Sequence, residues 1–234
     1  MARLVGVLGG MRPLATLDFL HQLLQARAAR RDQDHVPTVT WNVPQIPDRQ
    51  LALAGTGEDP LPAMREGIAR LNAAGATCIA IPCNTAHLWW DALGAHSAAP
   101  ILHIVDATID ALRARHRPGE RIGIIATRGA LAQRLYQARL EAAGLDYLTH
   151  SPQELDDLFT PGCYAIKAGD IATGGRLIAD AAQRLLGRGA TQLVMACTEV
   201  PIALRHAAPQ LLAISTDPAQ ALARACVRHW EHGA

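Results

Sequence analysis

Two stretches of this chain bring an apolar run to a stop at a thiol. Ile79–His87 reads IAIPCNTAH, and Gln192–Pro201 reads QLVMACTEVP. Each delivers a cysteine, Cys83 or Cys197, with hydrogen-bonding side chains directly behind it: Asn84 and Thr85 after the first, Thr198 after the second. A free thiol ionises with a pKa of about 8.5, and the partial positive charge at a helix N-terminus can bring it toward working pH. Both cysteines sit just before a predicted helix, so both are expected to be eased toward thiolate. Two thiols aimed at one carbon from opposite sides can do paired acid–base chemistry. One removes a proton while the other returns one, which inverts a stereocentre without any cofactor. Backbone N–H groups at such turns would stabilise the developing carboxylate-linked carbanion.

The elements that must present these thiols are legible as an alternation. Apolar runs at residues 3–8, 38–43, 77–81, 101–105, 121–126, 193–196 and 211–215 read as strands. Segments with apolar residues at three- and four-residue spacing, residues 15–31, 64–75, 130–144 and 174–189, read as helices. Near-continuous apolar strands alternating with amphipathic helices imply an α/β protein built on parallel sheets covered on both faces. A faint internal repeat divides it. LVGVLGG and RIGIIAT align Gly6 with Gly123, 117 residues on, and the two thiol stretches align Cys83 with Cys197, 114 residues on. Two similar lobes are therefore expected, pseudo-two-fold related, with the active site in the cleft between them. They would comprise residues 1–103 with 216–234, and residues 104–215. Ligands of open α/β sheets bind beyond the carboxyl ends of the strands, where both thiols fall.

Composition narrows the function. The 22 basic and 21 acidic residues leave a formal charge of +1, without the basic excess that a nucleic-acid or membrane surface needs. The opening MARLVGVLGG reaches glycine too soon for a signal peptide, and no run approaches membrane length, so a cytoplasmic protein is expected. Five cysteines at irregular spacing read as free thiols. Cys78 in a strand and Cys226 in a helix read as core, and Cys163 as a loop thiol without an assigned role.

Four motifs in order, GGM-x-P-x-A-T from Gly9, NVPQIPDR from Asn42, PCNTAH from Pro82 and ACTEVP from Ala196, resemble the aspartate/glutamate racemase family, closest to its aspartate branch. The resemblance runs over essentially the whole chain. It implies Cys83 and Cys197 as the catalytic pair, and no cofactor or metal. Asn84, Thr85, Thr127 and Thr198 are implied around the substrate's α-carboxylate and α-amino group, and Met11 is implied as a further substrate-binding residue. Arg49 and Lys167 are implied on its side-chain carboxylate, where Arg offers a planar fork and Lys a point charge. The implied substrate is an acidic amino acid, aspartate before glutamate, and the implied assembly a homodimer. Residues 42–59 read as a loop that could close over the substrate, with Asp48 holding it.

The chain departs from the family pattern at Arg12 and Leu14, where Gly and Glu are usual, and at Ala130 and Ala196. Arg at a turn glycine requires a backbone that tolerates a Cβ, and brings a cation toward the site. His87, four residues after Cys83, reads as a residue that caps or orients the turn, or shuttles protons near Cys83. Zinc would require three or four ligands, and Cys83 with His87 supplies two. Gly6, Gly9 and Gly10 miss the dinucleotide spacing. A one-thiol isomerase or decarboxylase on the same fold, and a dicarboxylate-binding protein, are the competing readings.

Overall fold

The computed structural model describes residues 3–233; Met1, Ala2 and Ala234, which the expected lobes include, lie outside the described residues. The strands are β1 (Val5–Gly9), β2 (Thr38–Asn42), β3 (Cys78–Ala80), β4 (Ile101–Leu102), β5 (Ile122–Ala126), β6 (Tyr147–Thr149), β7 (Gln192–Ala196) and β8 (Ser215–Thr216). They form two four-stranded sheets in the orders β2-β1-β3-β4 and β6-β5-β7-β8, with every pairing parallel. β1, β3, β5 and β7, the central strands, are buried at every residue, as strands covered on both faces must be.

The chain divides into two compact units. One takes the chain up to Ala107 and again from Ala219; the other is Thr108–Pro218. The crossing falls inside the helix Ile104–Arg113, and the return lies at the start of the helix Pro218–His232.

The internal repeat is physical. Gly6 in β1 has no room for a side chain: a Cβ there would meet Leu71, Ala76 and Ile79 at 3.4, 2.9 and 3.3 Å. At Gly123 in β5 the same atom would meet Leu185, Ala190 and Leu193 at 3.1, 3.2 and 2.8 Å. Each member of the second trio lies 114 residues after its counterpart in the first. Both units thus press a covering helix onto the first strand at a glycine.

Some expected elements need correction. The strand over residues 101–105 is only two residues long, because His103 ends it and a helix starts at Ile104. Residues 211–215 are mostly a 3-10 helix, Pro209–Ile214, and strand pairing begins at Ser215. The single helix over residues 130–144 is broken in two, Arg128–Ala132 and Gln137–Ala142, with Arg134 between them at φ 54. The 42–59 segment is not all loop, since Arg49–Leu53 is helical. β6, a short and half-exposed edge strand, was not expected at all. Cys163 lies on the helix Thr160–Lys167 rather than in a loop. Pro161, which has no N–H, falls where a π-helical turn, Leu155–Phe159, passes into this helix.

Candidate active site

In the first unit the side chain of Thr16 spans the glycine-rich turn after β1. The Oγ1 of Thr16 accepts the N–H of Gly10 at 3.0 Å and donates to the carbonyl of Arg12 at 3.2 Å. Gly10 has φ +95, and a Cβ there would fall 2.2 Å from the Val43 backbone. The Gly-Gly…Thr spacing therefore encodes a close backbone crossing that only glycine permits. Arg12 does not adopt a conformation comfortable for a Cβ, as expected of an Arg at this place. It keeps a glycine-type φ of 155 at the N-terminus of the helix Pro13–Ala26, so its backbone is strained.

Cys83 stands on the next strand over. Val7 pairs with Ala80 as the last rung between the two strands, and β1 runs on to Gly9 beside β2, so Gly10 and Cys83 both follow at the carboxyl end of this sheet. The N–H of Cys83 donates to the carbonyl of Ile81 at 2.8 Å, a three-residue turn around Pro82. The imidazole Nε2 of His87 lies 3.1 Å from that same oxygen. His87 is buried, and its ring meets that of His103 edge-on at 4.7 Å between centroids. Of the roles open to it from sequence, His87's contact with the Ile81 carbonyl is the one that holds the turn. Cys83, 8% exposed, shares an apolar cluster with Met11, Ile46 and Ala86. Asn84 and Thr85 behind it are buried.

The 42–59 segment is tied to both turns. Asp48 caps the helix Arg49–Leu53 by accepting the N–H groups of Gln50 and Leu51 at 2.7 and 3.1 Å. The guanidinium of Arg49 donates through Nη1 to the carbonyls of Ile46 and Pro47 at 3.2 and 2.8 Å, and through Nη2 to that of Met11 at 3.3 Å. Its buried Nε has no acceptor among the described residues. Gln50, which the sequence did not mark, donates to Thr85 Oγ1 at 3.2 Å. Met11, Arg49, Cys83, Asn84 and Thr85 thus converge in one unit.

The second unit repeats the layout with different chemistry. Ala126 pairs with Ala196, so Thr127 and Cys197 follow adjacent strands at one level. Thr127 Oγ1 caps the helix Arg128–Ala132 by accepting the N–H of Ala130 at 3.3 Å. Cys197, 9% exposed, donates to Glu199 Oε2 at 2.7 Å, and Thr198 Oγ1 donates to the same oxygen at 3.0 Å. Glu199 is buried and is the first residue of the helix Glu199–Ala207. The Cys197 thiol is raised well above the usual thiol range by its hydrogen bond with Cys163, by burial and by the Glu199 carboxylate. The helix N-terminus is expected to ease this thiol toward thiolate; Cys163 and burial, and after them the Glu199 carboxylate, push it the other way. Lys167 ends the helix Thr160–Lys167 one turn beyond Cys163; it is exposed, with Nζ 5.1 Å from the Tyr164 ring centre.

Cys163 is the residue sequence reading left unassigned and the fold brings to the site. Nothing in the spacing from residue 163 to 197 signals that two helices will cross there. Cys78 and Cys226 are fully buried, as expected; burial pushes Cys78 up to about 11 and Cys226 well upward.

A family model described as Asp/Glu/Hydantoin racemase matches residues 8–226. The chain belongs to the Asp/Glu/hydantoin racemase family. Members of this family are isomerases that work without pyridoxal phosphate. The chain is similar to the broad specificity amino-acid racemase RacX of Bacillus subtilis, 24% identical over 232 residues that cover 96% of each chain. Among solved structures it is similar to Picrophilus torridus aspartate racemase, with a TM-score of 0.84, 26% identity, and coverage of 98% of this chain and 94% of that one. Glutamate racemase from Francisella tularensis, solved with D-glutamate, shares the fold at a TM-score of 0.72 and 15% identity, covering 98% and 82%.

Proposed function

We propose that this racemase-family chain interconverts L- and D-aspartate, with glutamate as a second substrate, by a two-thiol mechanism. The observation that carries the reading is the equivalence of Cys83 and Cys197. Each follows the central β3 or β7 of a like-ordered parallel sheet, at the strands' carboxyl edge, with amide or hydroxyl groups next in sequence. A thiolate takes the α-proton from one face, leaving a carbanion stabilised by its carboxylate. The opposing thiol protonates the other face, so one S–H bond forms as the other breaks and no electrons are exchanged. Cys197, which holds its proton tightly, supplies the acid in the resting enzyme.

Asn84, Thr85, Thr127 and Thr198 serve the α-carboxylate and α-amino groups in this reading. Arg49 offers its Nε–H to the side-chain carboxylate, while Nη1 holds the carbonyls of Ile46 and Pro47 and Nη2 that of Met11. Lys167 adds positive charge. The strained Arg12 biases the site toward an acidic or longer substrate; an Arg12→Gly enzyme with unchanged relative activity on aspartate and glutamate would remove that role. Among the described residues no helix is long and apolar enough to cross a membrane. A cytoplasmic homodimer completes the proposal, and sedimentation equilibrium tests the dimer.

The test is proton NMR of L-aspartate and L-glutamate in D2O, with chiral analysis of the products. Loss of the α-proton signal with appearance of D-product, abolished in Cys83→Ser and in Cys197→Ser, is the expected result. Exchange that survives either substitution would leave a one-thiol enzyme. No exchange with both thiols reduced would leave a different substrate or a binding role.

A further inference from the structure

We propose that Cys163, Cys197 and Glu199 form a three-donor site for a thiophilic divalent cation of the zinc and cadmium class. All three side chains are buried, and their donor atoms lie within 4.8 Å of one another. Four-coordinate zinc, at about 2.3 Å from sulfur and about 2.1 Å from a carboxylate oxygen, needs donors roughly 3.6–3.8 Å apart. That spacing lies between the 2.7 Å contact of Cys197 Sγ with Glu199 Oε2 and the 4.8 Å within which all three donors fall, and metal entry requires the carboxylate to retreat from Cys197 by about 1 Å.

Regular elements hold the three donors. Cys163 sits mid-helix in Thr160–Lys167, Cys197 directly follows β7, and Glu199 opens the helix Glu199–Ala207. Two thiolates and a carboxylate select soft cations over magnesium or calcium. Three protein ligands leave a fourth position for water, the pattern of an open rather than a closed zinc site. Binding releases the two thiol protons and forms two metal–sulfur bonds. Metal binding stands on this geometry alone. Its consequence, inhibition by capture of the Cys197 sulfur, rests on the function proposed above.

Cadmium titration of the reduced protein tests the site through its thiolate-to-metal charge-transfer absorption. One equivalent should bind with the intensity of two thiolates and release two protons, and zinc should displace it. Cys163→Ser, a change that keeps the shape of the side chain, should halve the absorption and weaken binding at least tenfold. Glu199→Gln should weaken binding while keeping the two-thiolate absorption. Cys83→Ser should bind as wild type. Full-strength absorption in Cys163→Ser, or its loss in Cys83→Ser, would overturn the site whatever the racemase assays show. Metal bound as proposed in a protein that racemises nothing would instead leave the site standing and remove the functional reading.

Discussion

His87 Nε2 lies 3.1 Å from the carbonyl oxygen of Ile81, the acceptor that also takes the Cys83 backbone N–H. A carbonyl only accepts, so Nε2 carries the hydrogen, and the imidazole locks the turn from which Cys83 projects. His87→Ala removes a buried hydrogen bond and should cost about 1–3 kcal/mol of stability by urea melts. If His87 positions the thiol, kcat should fall with little change in KM, and His87→Gln, which can still donate, should recover part of it. A folded His87→Ala enzyme with wild-type kcat would reduce His87 to a packing residue.

Cys197 is held protonated chiefly by its hydrogen bond with Cys163, then by burial and by Glu199. Glu199→Gln keeps an acceptor for the thiol but removes the charge that opposes ionisation. Alkylation of Cys197, followed by peptide mass spectrometry across pH, should therefore move to lower pH in Glu199→Gln. Cys163→Ala should move it in the same direction. An unchanged profile in both variants would mean that burial alone sets the acidity of this thiol.

Three buried thiols give the fold an alkaline weakness. Cys78 is pushed up to about 11 by burial, and Cys197 and Cys226 are raised as well, whereas an unfolded thiol ionises near 8.5. The folded chain keeps protons that the unfolded chain has lost. This stability is complete below about pH 8.5 and drains away as pH climbs toward the folded values. Cys78 alone accounts for roughly 3 kcal/mol at about 1.4 kcal/mol per unit. Tm should drop steeply between pH 9 and 11, and Cys78→Ala should flatten the drop; a flat wild-type Tm would refute the linkage.

The turn after β1 holds opposite substitutions. Gly10→Ala places a Cβ 2.2 Å from the Val43 backbone at φ +95 and should lower stability by at least about 3 kcal/mol, or abolish folding. Gly75→Ala also meets a positive φ, +83, but open space, and should cost only about 1 kcal/mol. Arg12→Gly should stabilise by about 1 kcal/mol, because φ 155 suits glycine. Thermal melts of the three variants decide the order.

The strand alternation, the half-to-half repeat and the two thiol turns were readable in the sequence. They rest on local periodicity and on residues a few places apart, as in PCNTAH. β6 and β8 were weak or misplaced because edge strands of two or three residues carry too little pattern to outweigh their neighbours. The break at Arg134 escaped for the same reason: helical spacing continues across it, and only the backbone departs.

The sequence by itself determined that two cysteines end buried strands in matching halves, since apolar runs, glycines and polar followers are written in order along the chain. Only the tertiary structure decided what each thiol meets. Arg49 is committed to the Met11 turn and Gln50 to Thr85 through contacts spanning 38 and 35 residues. Cys163 reaches Cys197 because the helices Thr160–Lys167 and Glu199–Ala207 pack together. The acidity of a thiol depends on charges and burial gathered from distant segments, and no spacing along the chain records that sum.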